Sequence, residues 1–580
     1  MAKTIQKILS DPTIHRRLFF GAILVILILF GGFATFYLVS DYESLKQWFL
    51  SMNNCFYRRP YWTEEFFTKS VKAKGNLYAA AGLIISLSGM VYILARRKKY
   101  FSAQPTDQAS ITSKATWQWY IPVILLACIT WYIGQGGTKA SADEIFSVVN
   151  IAELPPFQVL AYYMLPNNHI YFNLLNGFII RLTHIDGVMT GRILSLAAYI
   201  GVLCCAFHWF AKRFGNYYWA YIALLPVALQ FTVWAFGFQA RGYELQLFCG
   251  WMVFLTLFRY LNTGETRWLK INTFFSVAGF AFIPTFLYFF LAQGVFIFVY
   301  QLTKRLADFR FWKYQAIAIA GVFLLYLPAL CFSGKDALTT NDYVKTGHAA
   351  LTEFIPHWFN VFKYFLNFIF SFIIRENHPL TFILFLTPLL LVFSRRKDDR
   401  WLLLFYIVLW AVWAGVCFYM QRSPFSRNMI IHYSLTMVFV VYTIYTCIDL
   451  SLQKIQSVNL RNIFKFAVFG VPVIIFCIHL SVWGKYNAPY LLYFMNVNQM
   501  YIDYNHEIDN LVPGTSVVCS DERYCFYYYA CLRGFRVHKC MEGNEDYYVK
   551  IWSEILPEMI EKNYVLVIKC KEGDDIYRHK

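Results

Sequence analysis

Trp117-Gln118-Trp119-Tyr120-Ile121-Pro122-Val123-Ile124-Leu125-Leu126-Ala127-Cys128-Ile129-Thr130-Trp131-Tyr132 is an apolar run that reaches about Gly134 and is followed closely by Ser141-Ala142-Asp143-Glu144. As a helix rising about 1.5 Å per residue, the run crosses most of the roughly 30 Å of membrane hydrocarbon. The two acids then fall just past the end of a span, at the membrane surface. Ser141-x-x-Glu144 reads as a capping box, with Asp143 favourable in the first helical turn. A carboxylate at that place also suits a general base. The two readings are compatible, because a cap would fix the orientation of its neighbour.

The rest of the chain repeats the pattern. It has 580 residues, 58% hydrophobic, 20% aromatic and only 15% charged, where soluble domains carry about 25% charged residues; its mean hydropathy is +0.43. Apolar stretches of roughly 18 to 25 residues imply an α-helical polytopic membrane protein with about thirteen spans. A net charge of +18 would suggest nucleic acid in a soluble protein. Here the basic residues gather in short loops, so the charge reads as topology. Arg96-Arg97-Lys98-Lys99, Lys212-Arg213, Lys304-Arg305 and Arg395-Arg396-Lys397 mark the cytoplasmic side, which puts Asp143-Glu144 outside. His15-Arg16-Arg17 precedes the first run, Leu18 to Val39, and no small-residue cleavage site follows it, so a retained span with a cytoplasmic N-terminus is expected.

Three regions follow. Residues 1–114 form a two-helix transmembrane extension, closed by a polar linker from Ser102 to Ser113. Residues 115–484 form the main transmembrane region, with outer interfacial helices at 142–190 and 354–375. The first is interrupted by Pro155-Pro156 and Pro166 and cannot span as one helix; counting the second as a span would place Arg395-Arg396-Lys397 outside. Tyr217 to Phe236 reads as a single span delivering Arg241-Gly242-Tyr243-Glu244 to the outer face, and Ile271 to Leu302, with Pro284 inside it, as two short spans. Phe464 to Trp483 is the last span. Residues 485–580 then form a small extracytoplasmic α/β domain, with strands near Val517–Asp521, Phe535–His538 and Val565–Ile568 and a helix over Tyr548–Lys562. Of the 14 cysteines, Cys519, Cys525, Cys531, Cys540 and Cys570 lie in this tail. They contain no C-x-x-C, which disfavours zinc and leaves room for one or two disulfides of open pairing.

Five segments carry a family likeness: Asp143-Glu144 after a span, Asn168-His169-Ile170-Tyr171-Phe172, Gly191-Arg192-Ile193-Leu194-Ser195, Ala240-Arg241-Gly242-Tyr243, and the Phe425-Ser426-Arg427 turn. In their order and placement, with a soluble outer tail, the chain resembles the GT-C glycosyltransferases, closest to the family of the lipid A aminoarabinose transferase and the protein O-mannosyltransferases. The resemblance implies an inverting integral-membrane transferase in a bacterial inner membrane. It would move a sugar from a polyprenyl-phosphate carrier to a lipid, glycan or protein acceptor on the extracytoplasmic side. Asn168 stands where many members have a second carboxylate, and Ile170-Tyr171 replaces a double proline.

On this reading Asp143 is the base and Glu144 its acidic partner. Arg241 and Arg427 stabilise the departing phosphate, a task that planar guanidinium groups suit. His169, Arg192, Asn168 and Tyr243 complete the donor-binding set. No cofactor is required, a divalent metal is left open, and the aromatic region Phe274 to Phe298 offers surface for the polyprenyl chain. The arginines could equally be interfacial anchors for lipid headgroups. Two other functions compete. A lipid-linked glycan transporter or flippase would put ionisable groups near the midplane and often show repeats; a surface polysaccharide ligase would not require an acidic pair after a span.

Overall fold

The computed structural model describes residues 12–52, 66–97, 117–163, 168–339, 351–370, 379–394, 396–452, 489–519, 524–538, 545–550, 558–569 and 575–580, with a few single residues between these segments. Lys98-Lys99, the Ser102–Ser113 linker, Pro166, Arg395, Asp521, Cys540, Cys570 and all of Phe464–Trp483 except Ala467 lie outside the described residues. Among the described residues, eight helices are long and apolar enough to cross a membrane, or nine if one bent pair counts as a single span.

The chain opens with α1 (Pro12–Val39), the short α2 (Tyr42–Ser51) and α3 (Lys69–Ala95). Leu18, Val25 and Leu29 on α1 and Leu77, Ile84 and Val91 on α3 are exposed, the pattern of a surface that faces lipid. A 3-10 turn at Trp117–Tyr120 leads into α4 (Ile121–Gly137). The expected first interfacial helix is instead three short pieces: α5 (Ala142–Ser147), a π-helical turn at Val148–Ala152, and α6 (Pro156–Ala161). Pro155 and Pro156 cannot donate the backbone bonds that would continue the first piece into the last. Then comes α7 (Ile170–Thr183), and α8 (Gly187–Phe214) begins at the N-cap Asp186 and stops at Gly215, whose φ of +66° suits glycine.

The span expected as one helix at Tyr217–Phe236 is broken. It consists of α9 (Tyr217–Ala228) and α10 (Phe231–Gly237), bent by 80° from each other. Pro226 inside α9 removes a backbone donor just before the break. The antiparallel pair α11 (Tyr243–Thr263) and α12 (Thr266–Phe282) follows, and a turn at Pro284–Phe286 separates α12 from α13 (Leu287–Lys304), the division the sequence predicts at Pro284. The bundle is completed by α14 (Arg310–Phe332), α15 (Gly334–Thr339), α16 (Leu351–Phe370), α17 (Pro379–Leu386), α18 (Lys397–Met420) and α19 (Ile430–Leu452). At one end of the bundle the buried Asp399 accepts from Tyr442 Oη (2.8 Å), Ser394 Oγ (2.6 Å) and Arg213 Nη1 (3.4 Å), tying α8, α18 and α19 together.

At the opposite end sits the tail, with α20 (Pro489–Ile508), α21 (Tyr524–Leu532) and α22 (Glu558–Asn563) around a five-stranded sheet of order β2-β1-β3-β5-β4. The strands are β1 (Ser516–Cys519), β2 (Arg536–His538), β3 (Tyr547–Lys550), β4 (Tyr564–Lys569) and β5 (Asp575–His579). β1 pairs in parallel with β2 and β3, and β5 pairs antiparallel with β3 and β4. The helix expected over Tyr548–Lys562 is corrected at its start: Tyr547-Tyr548-Val549 is the central strand, as suits aromatic and β-branched residues, and among the described residues the helix covers Glu558–Asn563. Ile508, Val517, Phe526, Tyr528 and Val549 of the tail share one apolar core with Ile145, Val148, Val149, Phe172 and Val188 of the main region.

One close approach fixes the outer elements. Gly177 of α7 lies under the π-helical turn, where a Cβ would stand 2.1 Å from the Ala152 carbonyl oxygen. Arg181, one turn on, donates to the carbonyls of Ala152, Glu153 and Leu154 and so closes the end of that turn. Gly177→Ala should therefore destabilise the purified protein by about 1–3 kcal/mol, as for an overpacked site, and lower its thermal midpoint; an unchanged midpoint would refute this packing.

Candidate active site

Three chain segments far apart in sequence meet at the C-terminal end of α4. Ser141 caps α5 by accepting from the Glu144 N–H (3.3 Å), while Glu144 Oε2 accepts from the Ser141 N–H (2.9 Å) and hydroxyl (3.0 Å). The capping box is formed. Glu144 then does more than cap. Its Oε1 accepts from Arg192 Nε (2.9 Å) and the Ala240 N–H (2.8 Å), and its Oε2 from Arg192 Nη2 (3.2 Å). Arg192 also donates to the carbonyls of Thr138 (3.2 Å) and Lys139 (3.0 Å). Burial alone would raise the Glu144 carboxyl; the Arg192 guanidinium and the surrounding donors outweigh it and hold the group below its usual range. A carboxylate with five donors in the protein interior is an organising group.

Asp143 points the other way. Its Oδ2 lies 2.9 Å from Arg241 Nη1 and 3.0 Å from Arg427 Nη1. Arg241 is buried, whereas the side chains of Asp143 and Arg427 are 42% and 38% exposed, so the cluster opens on one side. The Arg241 guanidinium, with Arg427 adding to it, holds the Asp143 carboxyl below the usual carboxylate range. The three residues singled out in the sequence thus converge on one oxygen, from α5, from the turn before α11 and from the 3-10 turn Ser426–Met429 ahead of α19.

The turn that presents Arg241 is held from beneath. Ser195 Oγ donates to the carbonyls of Gln239 (2.6 Å) and Arg241 (3.3 Å), and Gly191 brings α8 so close that a Cβ there would stand 2.6 Å from that of Ala240. His169 Nδ1 accepts from the Gly242 N–H (2.9 Å), and its ring meets Tyr243 edge-on at 4.8 Å. Because Nδ1 is the acceptor, the ring proton sits on Nε2. Burial, then Arg241 and Arg427, keep this imidazole well below its ordinary pKa. His169, expected in the donor-binding set, is therefore a neutral ring that braces the turn through Nδ1. Tyr243 lies under the Arg241 guanidinium at 5.5 Å, within cation–π range.

Asn168, expected among the donor-binding residues, is committed elsewhere. Its amide donates to the carbonyls of Val159 and Tyr162 and accepts from Asn173 Nδ2 (3.1 Å), knotting the loop before α7. Among the described residues no group of three or more His, Cys, Asp or Glu is placed to hold a metal ion. Three residues near this site carry no local signal in the sequence: Asn498, Tyr528 and Tyr529. Their partners lie more than three hundred positions away, as with Tyr528 Oη on Asp186 Oδ2 (3.2 Å) and Tyr529 Oη on the Ala140 carbonyl (2.8 Å).

No family model and no curated protein matches the chain. Solved structures do. The chain is similar to ArnT from Cupriavidus metallidurans bound to undecaprenyl phosphate, at a TM-score of 0.44 and 10% identity over 80% of this chain and 98% of that one. It is similar to the same protein in the apo state, at a TM-score of 0.43 and 11% identity over 79% and 97% of the two chains. It is also similar to the archaeal oligosaccharyltransferase AglB from Archaeoglobus fulgidus in complex with an inhibitory peptide and a dolichol-phosphate, at a TM-score of 0.40 and 11% identity over 72% and 64%.

The buried pair gives a double-mutant test. Glu144→Gln leaves the Arg192 charge buried without its counter-ion, and Arg192→Met does the reverse; each should destabilise by about 3–5 kcal/mol. The double variant should lose less than the sum of the two. Strict additivity in thermal or denaturant unfolding of the purified protein would show that the pair does not act as a unit.

Proposed function

We propose that this chain is an integral-membrane glycosyltransferase that moves a sugar from a polyprenyl-phosphate carrier to an acceptor hydroxyl at the extracytoplasmic surface, with inversion at the anomeric carbon. The observation that carries it is the convergence of Arg241 and Arg427 on Asp143 in a cluster that opens to the surface. Two guanidinium groups facing one opening are suited to a phosphate, and a carboxylate between them is suited to an acceptor proton.

The chemistry follows from the charges. The acceptor oxygen bonds to the anomeric carbon as its proton passes to Asp143. The bond from that carbon to the phosphate oxygen breaks, and its electron pair leaves with the polyprenyl phosphate. The leaving group is already an anion, so it needs cations and no proton donor; Arg241 and Arg427 supply them. Direct displacement with one base and no nucleophile predicts inversion.

In the free protein both arginines lie on Asp143 and depress its basicity. A bound phosphate engages the same guanidinium groups, which lets the carboxyl rise towards its ordinary range when the base is needed. The pair of arginines thus couples donor binding to activation of the base. The fixed Arg241, backed by Tyr243 and the His169 brace, orients the phosphate; the more exposed Arg427, stacked on Phe425 at 5.1 Å, closes on it.

Asp143→Asn should lower kcat about 10²–10⁴-fold, the scale of general-base catalysis, in vesicles supplied with a polyprenyl-phosphate sugar. Full retention of transfer would sink the assignment. The pH profile has a defined sign. Transfer needs ionised Asp143, so activity is lost as pH falls, and the acid limb of kcat, which reports the donor complex, should lie at higher pH than that of kcat/KM, which reports the free protein. Coincident limbs would contradict the coupling. His169 is neutral above its lowered pKa and should add no inflection near pH 6.5.

A further inference from the structure

The link between the last turn of α4 and α5 is only Thr138 to Ser141, and its backbone is held almost entirely by other parts of the chain. The carbonyls of Thr138 and Lys139 accept from Arg192, and the carbonyl of Ala140 from Tyr529 Oη at 2.8 Å. The Lys139 N–H donates to Asn498 Oδ1 (3.0 Å), and Asn498 Nδ2 donates back to the Gly137 carbonyl (3.1 Å). Lys139 Nζ lies over the Tyr501 ring at 4.6 Å. Tyr528 Oη reaches Asp186, the residue that caps α8 through the Met189 N–H (2.8 Å) and so sets the height of Arg192. Asn498, Tyr501, Tyr528 and Tyr529 all belong to α20 and α21 of the C-terminal domain.

The buried Ala140 carbonyl needs a partner, and the domain supplies it, as it does for the more exposed Lys139 N–H and Gly137 carbonyl. The apolar packing agrees: α21 lies against α5, Phe146 meets Tyr524 edge-on at 5.3 Å, and the two parts share one core. We infer that the C-terminal domain is a working part of the transfer site, with Tyr528 and Tyr529 as positioning residues that set Asp143 against Arg241 and Arg427 through the Thr138–Ser141 link. This rests on the reading of Asp143 as the base. Asp143 stands two residues beyond that link, and a displacement of about 1 Å at a reacting group can cost on the order of 10²-fold in rate. Neither tyrosine touches the three-residue cluster, so their effect would be on geometry and would fall on kcat more than on KM.

The test uses the full chain in lipid nanodiscs, as Tyr528→Phe, Tyr529→Phe and the double variant. Tyr577→Phe, on β5 and away from the link, serves as control. Two measurements are made on each: amide hydrogen exchange over residues 137–147, and transfer kinetics. In the double variant, exchange over 137–147 should rise at least tenfold while exchange in α11 and α18 is unchanged, and kcat should fall about 10- to 100-fold with KM within about threefold. Asn498→Leu, which unties the same link from α20, should move both readouts in the same direction.

Unchanged exchange over 137–147 overturns the inference whatever the kinetics show. Raised exchange with kcat intact overturns it too, because the domain would then hold the link without serving the reaction. If the unaltered chain transfers no sugar, or Asp143→Asn transfers as well as the parent, the functional reading fails on its own terms, while exchange still decides whether the domain holds the link.

Discussion

The structure of the outer end depends on one buried ion pair, Glu144 with Arg192. Two opposite charges in a low-dielectric interior are tolerated only when nearly every polar atom is satisfied. Glu144 accepts from Ser141, Arg192 and Ala240, and Arg192 donates onward to Thr138 and Lys139. Those contacts define the surroundings of Asp143: the start of α5, the link before it, the register of α8 and the turn before α11. The enclosed carboxylate therefore fixes the position of the exposed one. Adjacent residues in a helix point about 100° apart, and that rotation sends Glu144 inward to a saturated cage and Asp143 outward to an open cluster.

The two carboxylates are both depressed, for different physical reasons. Glu144 is desolvated and rescued by charge and hydrogen bonding, and since its donors are all protein groups, a substrate has no vacancy there to change. Asp143 is depressed first by Arg241 and then by Arg427, in a cluster that is partly exposed. Only the second kind of depression can be relieved by a ligand. That difference favours Asp143 over Glu144 in the proposed role of base.

Much of this was legible in the sequence where signals are local. The capping box at Ser141–Glu144, the division at Pro284 and the strands at Val517 and Val565 each rest on short-range patterns, and each is present. Asp143, Arg241 and Arg427 could be singled out because each follows or precedes an apolar run at the expected outer face. Their meeting on one oxygen could not be read, since it depends on how α5, α11 and α19 pack. The errors have the same origin. Tyr217–Phe236 is apolar enough to span, yet Pro226 and the packing of α10 bend it by 80°; Tyr547–Lys550 has a helical-looking context, yet β1 and β5 claim it as a strand between them. His169 reads as a donor-binding residue by type, because neither its burial nor the Gly242 N–H on its Nδ1 is visible in the sequence.

The N-terminal helices α1 to α3 contribute through their packing on the main region. Phe49 of α2 stacks on Tyr162 (5.7 Å) and Phe332 (4.9 Å), Trp48 packs on Phe157 (4.5 Å), and Gln158 Nε2 donates to the Phe49 carbonyl (3.3 Å). From the other side Ser333, just after α14, donates to the Ala161 carbonyl (2.7 Å) and accepts from the Tyr163 N–H (2.9 Å). α6 is thus gripped between the extension and the end of α14, and the chain leaving it runs through the Asn168 knot to His169 and the Gly242 N–H. Aromatic pairs add about 0.5–1.5 kcal/mol each beyond their buried area, enough in sum to hold a six-residue helix that could not persist alone. Beyond that knot Tyr171 Oη bonds the Leu325 carbonyl of α14 (2.9 Å). Contacts with α2 and α14 thus hold the chain on both sides of the knot, which lets it present His169 to the Gly242 N–H.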